Sequence, residues 1–479
     1  MTDKLMLQYK DDAEPRGSKM RTAMLVVRAV IAISASAASA VSCGSNLGSN
    51  YWLRVIAVKD FSTQEPSKDP KVVFAKSLVP PTERSQKTYI VDSFSGNDSN
   101  SGTRDKPFKT IQKGVDVAIA GDTVLVREGL YREEAEPHQA GVRFRKSGAS
   151  DAWIKVKAFP GSHPRVTSAT WGTFRIMNVS YIEVSGFDVT TEKVEGQTDP
   201  NYQRNEGNGI DVSRSHHILV RNNKVHDCGG GGISTAFSDY ITVEGNDSFR
   251  NSFFSIYNCS GISLWECMDF DDQPGYHDIV RGNRAWENEN KGPTPLTEGK
   301  LTDGNGIIID GMNGKGAILI ENNLSWNNGG RGIQINAARN VLVRNNTCAW
   351  NERTPESISL SPPSDLRAVT SENCTFENNI VVARPEQDFG ANWKSTQISY
   401  KRNMLCGYRK VSPEAGSDNI VGLDPQFVRA VFGDSMPDFR LRPKSPAIGR
   451  AALGSGPDED FTRKPRPKGR PSDLGAIQH

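Results

Sequence analysis

Two stretches of the chain crowd together the residue types that move protons, hold cations and grip sugars. WECMDFDDQPGYHD at 265–278 carries Trp265, Glu266, Asp269, Asp271, Asp272, Tyr276, His277 and Asp278, and ENENKGPTPLTEGKLTDGNG at 287–306 carries Lys291, Lys300, Asp303 and Asn305. Asp269, Asp271, Asp272, Asp303 and Asp310 offer carboxylate oxygens of the kind Ca2+ takes, roughly six to eight at a time. The plain alternative is a solvated acidic loop. Lys300, Lys291 or His277 can serve as a base, a lysine doing so when burial and nearby cations depress its pKa. Arg331, stacked just beyond the coil that holds both stretches, is placed to steady developing negative charge. Trp265 presents a flat apolar face for a sugar, while Asn305, Gln334 and Asn336 add amide hydrogen bonding. Against these stand a solvent-facing loop for each lysine and a structural turn for the Tyr276-His277 pair.

The elements that must position these side chains are repeats. ILVRNNKVH at 218–226, ITVEGNDSF at 241–249, DIVRGNRAW at 278–286, AILIENNLSW at 317–326, VLVRNNTCA at 341–349 and CTFENNIVV at 374–382 share one phrase. In register, Asn223, Asn246, Asn283, Asn323, Asn346 and Asn379 fall 23, 37, 40, 23 and 33 residues apart, a basic period with insertions. A second phrase, Gly-Ile followed by alternation, recurs as GNGIDVS, GGGISTA, CSGISLW, GNGIIID and GRGIQIN between residues 207 and 336. Short alternating strands cannot bury a face alone, but stacked turns bury a continuous one. The expected fold is all-β, a single-stranded right-handed parallel β-helix. About ten coils at roughly 4.8 Å per step make a rod about 50 Å long.

In such a coil the Asn column is structural, each amide bonding the turns above and below. His226, Phe249, Trp286 and Trp326 form an aromatic column expected to stack in the core or on a flank. Ile210, Ile233, Ile262, Ile307 and Ile333 point inward. The next residue then points out, giving Asp211, Ser234, Ser263, Ile308 and Gln334, and two further on come Ser213, Ala236, Trp265, Asp310 and Asn336. This mixture of carboxylates, amides and one indole suits a carbohydrate. The Gly-Ile glycines 209, 232, 261, 306 and 332 are 23, 29, 45 and 26 residues apart, so both chemistry-bearing stretches lie in the longest coil. Long insertions into a regular coil are commonly functional, and the two are expected to converge beside Asp310 and Arg331.

Composition agrees. The 479 residues carry 58 Lys+Arg against 56 Asp+Glu, a net charge of +2, which gives no basic excess for nucleic acid. Hydrophobic residues make up 36% with 44 Gly, lean for a bulky core and too apolar for disorder. From Met20, MRTAMLVVRAVIAISASAASAVSC has the basic start, short apolar run and small residues of a secretory signal, the alternative being an amphipathic helix. Ala40-Val41-Ser42-Cys43 resembles a lipobox with Ala where Leu is usual, so lipidation of Cys43 and plain cleavage stay open. The expected division is a signal over 1–43, a linker over 44–87, the capped β-helix over 88–425 and a closing segment over 426–479. No transmembrane segment is expected in the body, and no zinc spacing or disulfide is assigned to Cys228, Cys259, Cys267, Cys348, Cys374 and Cys406.

The ends carry a resemblance. YIVDSFSGNDSNSGTRDKPFKTIQKGVDVAIAGDTVLVREGLYRE at 89–133 resembles the opening of secreted right-handed β-helix proteins of the pectate-lyase-like superfamily, with an amphipathic helix over the end of the barrel. DPQFVRA, DFRLRPKSPAIGRA and DLGAIQ between 424 and 478 resemble its closing segment. The whole is similar to family-nine polysaccharide lyases. That resemblance implies β-elimination on an acidic, uronate-containing polysaccharide, Ca2+ held by Asp residues, a Lys base, and a secreted, periplasmic or outer-surface location; a monomer is expected. Asp303-Gly304-Asn305-Gly306 only loosely echoes the family's Asp-Gly segment. Asn-Thr-Asp and Gly-His-Gly, expected of pectin hydrolases, and the Asp-Pro-His-Glu of alginate epimerases are absent. An epimerase, a glycoside hydrolase and a non-catalytic carbohydrate-binding surface protein remain the alternatives.

Overall fold

Each coil is three short parallel strands, as in Ile262–Cys267, Tyr276–Arg281 and Arg284–Trp286. Equivalent strands of successive coils pair into three parallel sheets, nine-, eleven- and eleven-stranded. The nine-stranded sheet carries the Gly-Ile phrases and is called the front sheet below. The fold, in a computed structural model, is the right-handed parallel β-helix expected from the repeats. The structure describes residues 86–133, 140–169, 171–192, 207–253, 257–291, 301–354, 364–385, 387–390 and 392–479. The chain divides into two units, Met1–Lys71 and Val72–His479, and all described residues lie in the second. The signal and Cys43 fall outside them, as does Lys300.

Ile210, Ile233, Ile262, Ile307 and Ile333 are in register and fully buried. Their column, with Val220, Val243, Val280, Ile320 and Val343 from the second sheet, is the continuous core. A short helix, Ile111–Val117, caps the first coils; Thr110 accepts from the Lys113 N–H and Glu133 from that of Ile111 at 2.8 Å.

The Asn column is a hydrogen-bonded ladder. The backbone N–H and side-chain amide of Asn223 both donate to Asn246 Oδ1, Asn246 does the same to Asn283, and the series runs through Asn323, Asn346, Asn379 and Asn403 to Asn419. The residue before each of the six asparagines of the repeated phrase turns left-handed: Asn222, Gly245, Gly282, Asn322, Asn345 and Asn378 have φ between 52° and 67°. That conformation favours Gly and Asn, which is why the phrase reads NN or GN.

Five residues further on stands a second ladder absent from the sequence reading, Asn251 to Asn288 to Asn328 to Asn351, ending on Asp365. With the serines beside it, it explains the Gly of four of the five Gly-Ile phrases, at 232, 261, 306 and 332. A Cβ on Gly261 would lie 2.4 Å from Asn288 Nδ2, and one on Gly306 2.0 Å from Ser325 Oγ.

His226, Phe249, Trp286 and Trp326 stack in sequence with interplanar angles of 8°, 10° and 3°. The column lies outside the helix core, on the third sheet. From Phe427 the chain runs back over this flank, packing Phe427, Phe439, Leu441, Leu474 and Ile477 on Trp286, Trp326 and Trp350. The left-handed asparagines anchor it, Asn322 donating to Glu459 O and Asn345 to Asp473 O. All six cysteines in the described residues are free, four of them buried.

Candidate functional site

Outward residues of the front sheet form two columns. Asp211, Ser234, Ser263, Ile308, Gln334 and Arg367 are paired in register, as are Ser213, Ala236, Trp265, Asp310, Asn336 and Val369. Trp393 continues the second column after Val369. Trp265 is 45% exposed and rests edge-on against Phe237, centroids 4.8 Å apart. Asn336 donates to Asp310 Oδ1 at 2.6 Å.

At the N-terminal edge of the same strands lies Asp303, in a left-handed turn with φ 60° followed by Gly304 at 66°. Its Oδ1 accepts from Asn305 Nδ2 at 2.8 Å. Burial first, and then the charge of Asp310, push its pKa up to about 7; Asn305 and Arg331 act against them. Burial raises Asp310 as well, opposed by its bond from Asn336. Arg331, 5% exposed, donates from Nη1 to Gln334 Oε1 at 3.0 Å, and its Nε lies 3.5 Å from Glu352 Oε1. Two carboxylates of unequal acidity with a guanidinium beside them can transfer a proton near neutral pH and hold an anion.

Three expectations change. The insertions do not converge: 268–275 leaves the C-terminal end of the front strand Ile262–Cys267, whereas 287–306 returns to the N-terminal end of Ile307–Met312. The five acids therefore do not form one cation site. Asp269 turns to the corner between front and second sheets, its two oxygens taking the backbone N–H groups of Lys315 and Gly316 at 2.7 to 3.0 Å. Asp271 accepts from Tyr240 at 2.6 Å, and Asp272 is exposed.

His277 belongs to that corner too. Its Nδ1 lies 3.0 Å from both Asp239 oxygens and its Nε2 2.9 Å from Gln273 O. Both partners are acceptors and favour the protonated ring, and Tyr240 Oη lies 3.2 Å from the same Nε2, so the imidazole is held by its neighbours and suits a holding role better than that of a base. Asn305 is fully buried, bonding Ser260 Oγ and accepting from the Arg331 N–H, so it shapes the strip instead of touching a ligand. Trp265, Asp303, Asp310, Arg331, Gln334 and Asn336 remain together. Lys291 is exposed and pairs with Glu289 at 3.4 Å.

The donors do not fit Ca2+. Among the described residues one group has metal-compatible spacing, Asp239, Asp269 and His277. It includes a nitrogen, and its carboxylates already serve backbone N–H groups and the imidazole. Asp303 and Asp310 supply only two carboxylates, each facing an amide donor.

A three-sheet coil stack with a polar, indole-bearing front strip makes this a right-handed parallel β-helix protein. Residues 89–293 match the family described as Pel9A-like, right handed beta helix region. Among curated proteins the chain is similar to the uncharacterized protein YwoF of Bacillus subtilis (strain 168), 29% identical over 145 residues, 29% of this chain and 28% of that protein. It is also similar to pectate lyase PEL9 of Emericella nidulans, 25% identical over 255 residues, 49% of this chain and 56% of the relative. The matches thus span about a quarter and just over half of those relatives' lengths. The crystal structure of pectate lyase Pel9A superposes with a TM-score of 0.51 at 18% identity, covering 83% of this chain and 97% of that one, a likeness of fold. No helix in the described residues is long and apolar enough to cross a membrane.

Proposed function

We propose that this is an extracytoplasmic polysaccharide-active protein that cleaves a uronate-containing polysaccharide by β-elimination. The observation that carries the reading is the front strip itself, where Arg331 and the Asp303–Asp310 pair share adjacent coils with the exposed Trp265. Trp265 supports a sugar ring and Gln334 and Asn336 bond its hydroxyls. Arg331 offsets the charge that builds on the sugar carboxylate as the C5 proton leaves. The electrons of the C5–H bond become the C4–C5 double bond, the C4–O bond breaks, and the departing oxygen takes a proton, which Asp303 supplies from its protonated form. The base is assigned to Lys300 from sequence position alone, three residues before Asp303.

The purified protein incubated with polygalacturonate, alginate or a glycosaminoglycan should yield the ultraviolet absorbance of an unsaturated uronate. New reducing ends without that absorbance would favour glycoside hydrolysis. That second reading draws on the same pair of carboxylates, both with raised pKa values, Asp303 up to about 7. Binding without product would leave a carbohydrate-binding surface protein.

A further inference from the structure

One coil beyond Gln334, the outward column reaches a residue that the polysaccharide reading leaves unused. Arg367 pairs in register with Gln334, itself bonded to Arg331. It is the largest fully buried side chain in the described residues, and none of its three guanidinium nitrogens has a hydrogen-bond partner there. An aromatic face stands near it, that of Trp393, its ring centroid 5.8 Å from the guanidinium carbon. Burial first, then the like charge of Arg331, lower its pKa to about 10, which still leaves it charged at neutral pH. Glu352 attracts it but is engaged elsewhere, accepting from the Ser364 N–H and from Gln387 Nε2.

A buried guanidinium with its donors unmet is costly, and such groups in folded proteins call for a binding partner. The fork of Arg matches a carboxylate bidentately. We propose that Arg367, with Arg331 beside it, is the recognition point for a sugar carboxylate, making the front strip selective for acidic over neutral polysaccharide. Trp393, 36% exposed and paired with Val369 in the neighbouring column, gives the sugar ring its platform, with the Arg367 guanidinium beside its ring. The inference deepens the polysaccharide reading and rests on it.

The test is binding, with cleavage followed separately. The full-length protein is titrated with polygalacturonate, with the fully methyl-esterified polymer of the same backbone, and with acetate. Wild type should prefer the acid form. R367M should lose on the order of tenfold or more in affinity for it, the worth of a charged hydrogen bond, and none for the ester. Its Tm should hold or rise, because replacing an unpaired buried charge by an apolar side chain is neutral or stabilising. Undiminished affinity of R367M for the acid polymer overturns the proposal, as does a wild type that binds acetate but shows no preference between the polymers. Should R367M not fold, R367K is read in its place: charge without the fork must weaken acid-polymer binding selectively, and wild-type affinity overturns the proposal. Arg367-dependent binding without unsaturated product would sink the lyase reading and keep the carboxylate subsite.

Discussion

The indole of Trp326 lies face to face with that of Trp286, ring centroids 4.9 Å apart, and makes a T-shaped contact with Phe439 of the C-terminal segment. Trp326 Nε1 also donates to Ser435 O at 3.3 Å. One side chain thus joins the coil stack to the strap across it. Trp326→Ala should cost about 3–5 kcal/mol in denaturant unfolding, as truncations of buried aromatics do. It should also open residues 427–441 to limited proteolysis; a resistant variant of wild-type stability would show that the strap is held elsewhere.

Asn283 is bonded on both sides. It accepts two bonds from Asn246 and donates to Asn323 Oδ1 and Val243 O. Asn283→Ala strips two buried donors of Asn246 of their acceptor, at about 1–3 kcal/mol for each donor left bare. Asn288→Ala should behave alike, since Asn288 holds the same place in the second ladder. Denaturation midpoints decide: a loss at Asn283 with none at Asn288 would make the second ladder incidental.

That second ladder marks where legibility stopped. The first was readable because its asparagines sit inside a recurring apolar phrase, so register and chemistry coincide. The second lies at a constant five-residue offset, in turns without hydrophobic periodicity, and its only trace was the glycine it requires in four of the five Gly-Ile phrases. The candidate site divided the same way. Strand alternation placed Trp265, Asp310, Gln334 and Asn336 on one strip. The acids of 268–275 were misplaced because a loop has no period to fix its direction, and backbone N–H groups captured Asp269 at the corner. Arg367 was missed because its strand, Leu366–Val369, carries no Gly-Ile phrase.

His226 lies between two carboxylates, Nε2 2.9 Å from Asp188 and Nδ1 2.5 Å from Asp227. Burial disfavours the imidazolium, but both hydrogen bonds and both charges outweigh it and raise the pKa. A raised histidine stabilises the fold fully below its unfolded value of about 6.5 and loses that contribution as pH rises through the folded value. The stability difference between wild type and His226→Gln should therefore be largest on the acid side and shrink above neutrality. A difference that grows with pH would contradict the paired cation.

On the strip, Trp265→Ala should raise KM and leave Tm where it was, because an exposed indole supports the ligand more than the fold. Asp303→Asn should act on kcat and remove the limb of the pH–rate profile near 7, where the Asp303 carboxyl titrates. A profile unchanged by Asp303→Asn would release that residue from the proton transfer while leaving the sugar platform intact.

His277 separates a holding role from a catalytic one. Its two acceptors, Asp239 and the Gln273 carbonyl, favour a doubly protonated ring; burial opposes that charge, but Gln273 and Asp239 prevail and the pKa is raised. A base in a β-elimination must arrive deprotonated, whereas this ring ties the 268–275 loop to the turn that opens the second-sheet strand Asp239–Glu244. His277→Gln should lower stability by about 1–3 kcal/mol at acid to neutral pH, the loss narrowing as pH rises and wild-type His277 itself deprotonates. The cleavage rate per folded molecule should stay at the wild-type level. If the rate instead collapsed while Tm held, the corner would be the reacting centre, and the front strip would be left with binding alone.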